Sequence, residues 1–213
     1  MVILYVETNF LMAIAKGQDL EAKELLRSVP PSIHRIVIPE ICYIEALNRW
    51  KKEKYYADEF EKELNKQINN SSRDLASPHA KSFLTSLEQT LILNQALLND
   101  IQVRLFEYID LLIQTAKVEE IKLDTTIIRN ISKAVILQPD TLIIKRDLMD
   151  NLILHCIISH AKSYYSTQKK VFLSGNSKDF GKPEVIKILE TAGIEKYFTN
   201  TNNFLGWLNS QSS

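Results

Sequence analysis

The chain has 213 residues, 45% of them hydrophobic, which suits one domain with its own core and excludes a disordered chain. Its 26 basic and 26 acidic residues cancel, so a polyanionic ligand would have to meet a local basic face rather than a general positive field. Two cysteines, Cys42 and Cys156, stand far apart in apolar contexts with no CxxC, which excludes a zinc ribbon and points to buried thiols in a reducing compartment.

The chain opens with MVILYVETNF, which has no basic n-region and reaches an acid at Glu7, so it does not read as a signal peptide. No apolar run approaches the roughly 18 residues of a membrane span. The expectation is a soluble, cytoplasmic protein with no membrane partner.

Residues 2–6 (VILYV) are a short apolar run that predicts a buried strand of a parallel sheet. Residues 10–16 predict a helix stopped at Gly17, and Asp19–Ser28 a second short one before Pro30 and Pro31. Residues 34–38 (HRIVI) predict the next strand, with Pro39 placed in the first turn of a helix that carries Ile41, Ile44, Ala46, Leu47 and Trp50. That helix turns strongly charged from Lys51 to Lys66 and should project into solvent. Residues 67–78 have linker composition. Apolar residues from Phe83 to Leu112 recur at three-, four- and seven-residue steps, predicting an amphipathic helix or helix pair over about 80–117, whose apolar face suits packing on the helix before it rather than a coiled-coil dimer seam.

Residues 120–123 suit a short strand or loop, 124–136 a helix, 147–163 a strong helix and 170–174 a strand opening onto GNSKDFG. A helix over 183–192 begins at Pro183 and ends at Gly193, followed by a short strand at 197–199 and a last helix over 201–208. Strands alternating with helices argue for a three-layer α/β/α domain with a short parallel sheet of four to five strands. There is no internal repeat.

Acidic and amide side chains recur at strand ends and helix starts. Glu7 follows the first strand, Glu45 lies on the helix after the second, Asp150 sits early in RDLMDNLILH, and Asn176 and Asp179 follow the strand ending in FLS. Ligands of open α/β sheets bind beyond the carboxyl ends of the strands. Acids gathered there would repel one another, and a hard divalent cation such as Mg²⁺ or Mn²⁺ removes that penalty. Each residue also has a plain structural use. Glu7, Thr8 and Asn9 suit a helix cap, Glu45 a solvent face, Asp147 and Asp150 a helix N-terminus, and Asn176–Asp179 a turn. Other chemistries lack their residues: His155 and His160 are not at metalloprotease spacing, and GxSxG, GxGxxG and the phosphate-loop motif are all missing.

The order of these motifs resembles the PIN-domain nucleases over residues 2–50 and 120–208. The family opens with a strand and Asp-Thr-Asn, here Val6-Glu7-Thr8-Asn9. It continues with a strand, a Pro and a helix bearing Glu, here IPEICYIEAL with Glu45, and then a helix starting at an Asp, here Asp150. It closes on a strand leading to an acidic motif, here LSGNSKDF. Glu7 replaces the family's first Asp, and Ser177 stands where the last motif has another. The segment 53–118 is similar to the helical insertion of larger PIN-like proteins, within a single domain spanning 1–213.

The resemblance implies a metal-dependent endonuclease, an endoribonuclease in the first instance, and the toxin of a toxin–antitoxin pair as one biological role. Glu7, Glu45, Asp150 and Asp179 would hold Mg²⁺ or Mn²⁺. Thr8, Asn9, Asn176, Ser177 and Asp147 would support them. Arg49, Lys51, Lys52, Lys145 and Arg146 would meet the phosphate backbone, though such runs also serve as plain solvated surface. RNA is the expected substrate, with DNA as alternative, and an antitoxin, another protein or a second copy of the chain as partner. The rival reading is a catalytically inactive PIN-like module that binds RNA or a protein.

Overall fold

The computed structural model describes residues 1–145 and 147–211. Its elements run β1 (Val2–Val6), α1 (Thr8–Ala15), α2 (Leu20–Arg27), β2 (Ile33–Pro39), α3 (Ile41–Ser71), α4 (Ala80–Gln114), β3 (Val118–Ile121), α5 (Thr125–Leu137), α6 (Leu148–Ser163), β4 (Lys169–Leu173), α7 (Pro183–Thr191), β5 (Ile194–Phe198) and α8 (Thr201–Ser210), with a single 3-10 turn at Pro139–Thr141.

The five strands form one parallel sheet in the order β3-β2-β1-β4-β5. Strand β1 is central and buried throughout, which is why its sequence is an unbroken apolar run rather than an alternation. From β1 the chain winds outward through β2 to β3, then crosses back past both to β4 and on to β5. Right-handed crossovers then put α1–α4 on one face and α5–α7 on the other. The packing agrees: α1 meets α2, α3 and α4, α8 meets α2, and α5 meets α6. The chain is therefore an α/β/α sandwich.

Reversal of winding direction occurs between β1 and β4, so the crevice of this sheet opens at their carboxyl ends. Val6 and Leu173 are partners across that pair, which puts Glu7 and Ser174 side by side just past the sheet edge. Local chemistry fixes the segments around it. Glu7 caps α1 by accepting the Asn9 amide at 2.8 Å, and Gly17 closes that helix at φ 69°, a conformation that only glycine adopts without strain. Asp147 caps α6 by accepting the Asp150 amide at 2.9 Å.

Three sequence expectations shift. Pro39 is the last residue of β2, paired with Ile121, and α3 begins two residues later. The polar stretch 67–78 is no linker through its first half, since α3 runs on to Ser71 and only the following residues turn. The charged part of α3 does not project alone. It lies antiparallel to α4, with Asn94 donating to the Ala57 carbonyl and Gln95 to Glu61. The C-terminal half of α4 buries Leu105, Tyr108 and Leu112 in the core, spaced by three, four and seven residues. The outer part of the hairpin leaves Tyr55, Tyr56, Phe60, Leu93 and Leu97 exposed.

Candidate functional site

Four segments meet above the carboxyl ends of β1 and β4, and each arrives by a traceable contact. Glu7 is fully buried: one carboxylate oxygen takes the Asn9 amide and the other the Ser174 hydroxyl at 2.8 Å. Thr8, also buried, donates its hydroxyl to Glu45 and so ties α3 to the end of β1. Asp150 accepts the Asn176 side-chain amide at 2.9 Å, which ties α6 to the loop after β4. Glu45 and Asp150 thus lie on the same side as Glu7, and their charges act on one another.

This crowding has an electrostatic signature. Burial pushes the Glu7 carboxyl up to about 7, against the pull of the Asn9 and Ser174 hydrogen bonds. Burial does the same to Asp150, to about 7, with Asp147 and Glu45 adding to it and Arg49 opposing. Asp150 keeps one oxygen, Oδ1, buried and without a partner. A buried carboxylate oxygen left unpaired is costly, so the pocket is short of a donor or a cation at that point.

Arg49 supplies the positive charge that is present. One turn after Glu45 on α3, it donates from Nε to Oε1 at 2.8 Å and places a second guanidinium nitrogen 2.6 Å from the same oxygen. Its third nitrogen donates to Asn9 Oδ1. Although burial works against its charge, the carboxylates of Glu45, Glu7 and Asp150 hold Arg49 above the ordinary arginine value.

The remaining candidates divide. Asp147 lines the rim and sets the Asp150 backbone. Asn176 bridges Asp150 to the loop. Asp179 feels Asp150 but stands at the edge, where the Lys182 ammonium at 2.9 Å holds its carboxyl below the usual range. Ser177 is exposed, and its backbone shapes the turn by accepting from the Gly181 amide at 3.1 Å. Gly181 is obligatory for that turn, because a Cβ there would lie 2.5 Å from the Ser177 carbonyl oxygen. Lys51 and Lys145 are exposed, Lys52 lines the groove, and Arg146 lies outside the described residues. Ser174, which holds Glu7, carried no signal in the sequence. Its role comes from strand register alone.

A groove of about 810 Å³ reaches the centre at Glu45 and Arg49. Its lining also includes Asp147, Lys16, Lys52 and Tyr56. A PIN-domain family model matches residues 4–180. The chain belongs to the PIN-domain family. No curated protein and no solved structure matches it.

PIN domains have a nuclease-type fold and typically use divalent metals. The donor chemistry of this PIN domain suits such an ion: three buried carboxylates, one of them with an unpartnered oxygen. Among the described residues no three His, Cys, Asp or Glu side chains form a ready ligand set. Glu45 is engaged by Thr8 and Arg49, and both Glu7 oxygens by Asn9 and Ser174. No helix of the described residues is long and apolar enough to cross a membrane.

Proposed function

We propose that this PIN domain is a divalent-cation-dependent endonuclease whose substrate is single-stranded RNA. The observation that carries the reading is the unpartnered, buried Asp150 oxygen, on a carboxyl that feels the charge of Glu45, which in turn lines an open groove. A buried carboxylate oxygen without a donor favours a cation beside it.

In this reading Glu7, Glu45 and Asp150 hold Mg²⁺ or Mn²⁺, with Asp179 at the edge of the set. When bound, the ion lowers the pKa of a ligand water and offsets charge on the scissile phosphate. Everything else falls to the chain. Ser174 and the Asn9 amide fix the Glu7 carboxylate in one orientation. Thr8 does the same for Glu45, and Asn176 for Asp150. Lys16, Lys52 and Arg49 in the groove meet backbone phosphates, and Tyr56 offers a ring on which an unstacked base can rest. Contact with backbone and base faces reads no sequence, so selectivity would come from strandedness.

The test is cleavage of a 5′-labelled single-stranded RNA by purified protein with Mn²⁺, with single-stranded DNA alongside. Cleavage should stop with EDTA and fall at least about a hundredfold in Asp150→Asn, by analogy with losses on removing ligand support. Equal activity in wild type and Asp150→Asn ends the reading. DNA cut as well as RNA corrects the substrate. The second reading, a non-catalytic RNA- or protein-binding PIN module, draws on the Arg49 hold upon Glu45. RNA bound but uncut, in the presence of Mn²⁺, would select it. A toxin role with an antitoxin partner, or a homodimer, would use the exposed apolar side chains of the α3–α4 hairpin.

A further inference from the structure

The centre described above contains its own cation, and that bears on how a metal would enter. This step rests on the nuclease reading and concerns its resting state. Arg49 grips Glu45 from the next helical turn, reaches Asn9 beside Glu7, and neutralises part of the charge of Glu7 and Asp150. It therefore stands among the same carboxylates that a divalent ion would need. Its side chain is 34% exposed while that of Glu45 is 10% exposed, so the arginine has somewhere to go and the glutamate does not.

We propose that Arg49 is the resident counter-cation of the acidic centre: a divalent ion binds by taking Glu45 from it, and the freed guanidinium turns to a phosphate in the groove. The arrangement is a competition within one molecule. An internal competitor lowers apparent metal affinity by the fraction of time that it is released. It also protects the apo protein, since Glu45 is never left as an unpaired buried charge. The guanidinium fork that holds a carboxylate matches a phosphate equally well, so its release is not a loss to binding. An ordinary ion pair four residues apart on a helix would stabilise the helix and leave metal affinity alone.

Mn²⁺ binding, followed by loss of the free-ion electron paramagnetic resonance signal, separates these cases. Arg49→Gln should bind Mn²⁺ about tenfold more tightly than wild type at pH 8. Equal or weaker binding overturns the competition and leaves the nuclease reading standing. No binding by either protein sinks that reading, and the competition with it. Because Arg49→Gln leaves Glu45 unpaired and risks folding poorly, wild type provides a second measurement. In ¹⁵N-labelled protein the Arg49 Nε–H resonance should shift or exchange away as Mg²⁺ is added. A resonance that holds still while those of Glu7 and Asp150 move refutes the displacement.

Discussion

Replacing Asp150 by Asn should make the metal-free protein more stable, which is the reverse of what deleting a buried polar partner usually does. The carboxyl rises from 3.8 to about 7 in the fold. At about 1.4 kcal/mol per pH unit, this difference corresponds to at most about 4 kcal/mol of destabilisation once the group is ionised in both states. The acid keeps the Asn176 hydrogen bond and gains from the helix start that it occupies, so about 2 kcal/mol is the figure to expect. The sign follows from proton counts. Below about pH 4 both states carry the proton and the variant gains nothing. Between about 4 and 7 the folded protein holds a proton that the unfolded chain has released, so wild type loses stability as the pH climbs. Above about 7 the deficit is complete, and Glu7, raised from 4.5 to about 7, adds its own share in the same window. Asparagine keeps an oxygen for Asn176 and carries no charge. Thermal unfolding in EDTA at pH 5 and pH 8 measures the effect: the variant should gain about 4–8 °C over wild type at pH 8 and distinctly less at pH 5. Adding Mn²⁺ at pH 8 should then raise wild type and not the variant. A variant no more stable than wild type at pH 8 without metal refutes the claim that these acids are crowded.

Two further outcomes follow from the same contacts. The Mn²⁺ concentration needed for half-maximal RNA cleavage should fall as pH rises from 6 to 8, because protons on Glu7 and Asp150 compete with the ion up to about 7; a requirement independent of pH would place the metal elsewhere. Ser174→Ala should cost about 1–3 kcal/mol in urea unfolding, since it leaves a fully buried Glu7 oxygen unpaired. The loss should be greater at pH 8 than at pH 5, as the hydroxyl supports the charged form, and a pH-independent loss would mean that Glu7 is not ionised there.

How far the sequence could be read depended on whether a feature was local. The apolar runs of β1 and α6 report their burial directly, and Gly17 and Gly193 mark helix ends by their positive φ. The end of α3 is not legible locally because its Asn and Ser residues read as a turn, while α4 lying alongside supports the helical path further up. Glu7, Glu45 and Asp150 were visible as acids at strand ends or helix starts. Their convergence was not, since it depends on strand order. Two pairings are legible by spacing: Glu45 with Arg49 at four residues, and Asp179 with Lys182 at three. The first changes Arg49 from a surface cation into part of the centre, and the second draws Asp179 towards the rim. Ser174 could not have been found, because nothing in its own neighbourhood distinguishes it from any serine after a strand.

The central place of β1 has a consequence for biosynthesis. Glu7 precedes by 167 positions the hydroxyl that fixes it, which lies just past the strand that completes the crevice. Asp150 likewise waits for Asn176, 26 positions further on. Until β4 has docked, the acids sit on separate, unassembled segments, and a nascent chain carries no pocket. The pocket is therefore complete only once β4 and the loop after it have joined the sheet.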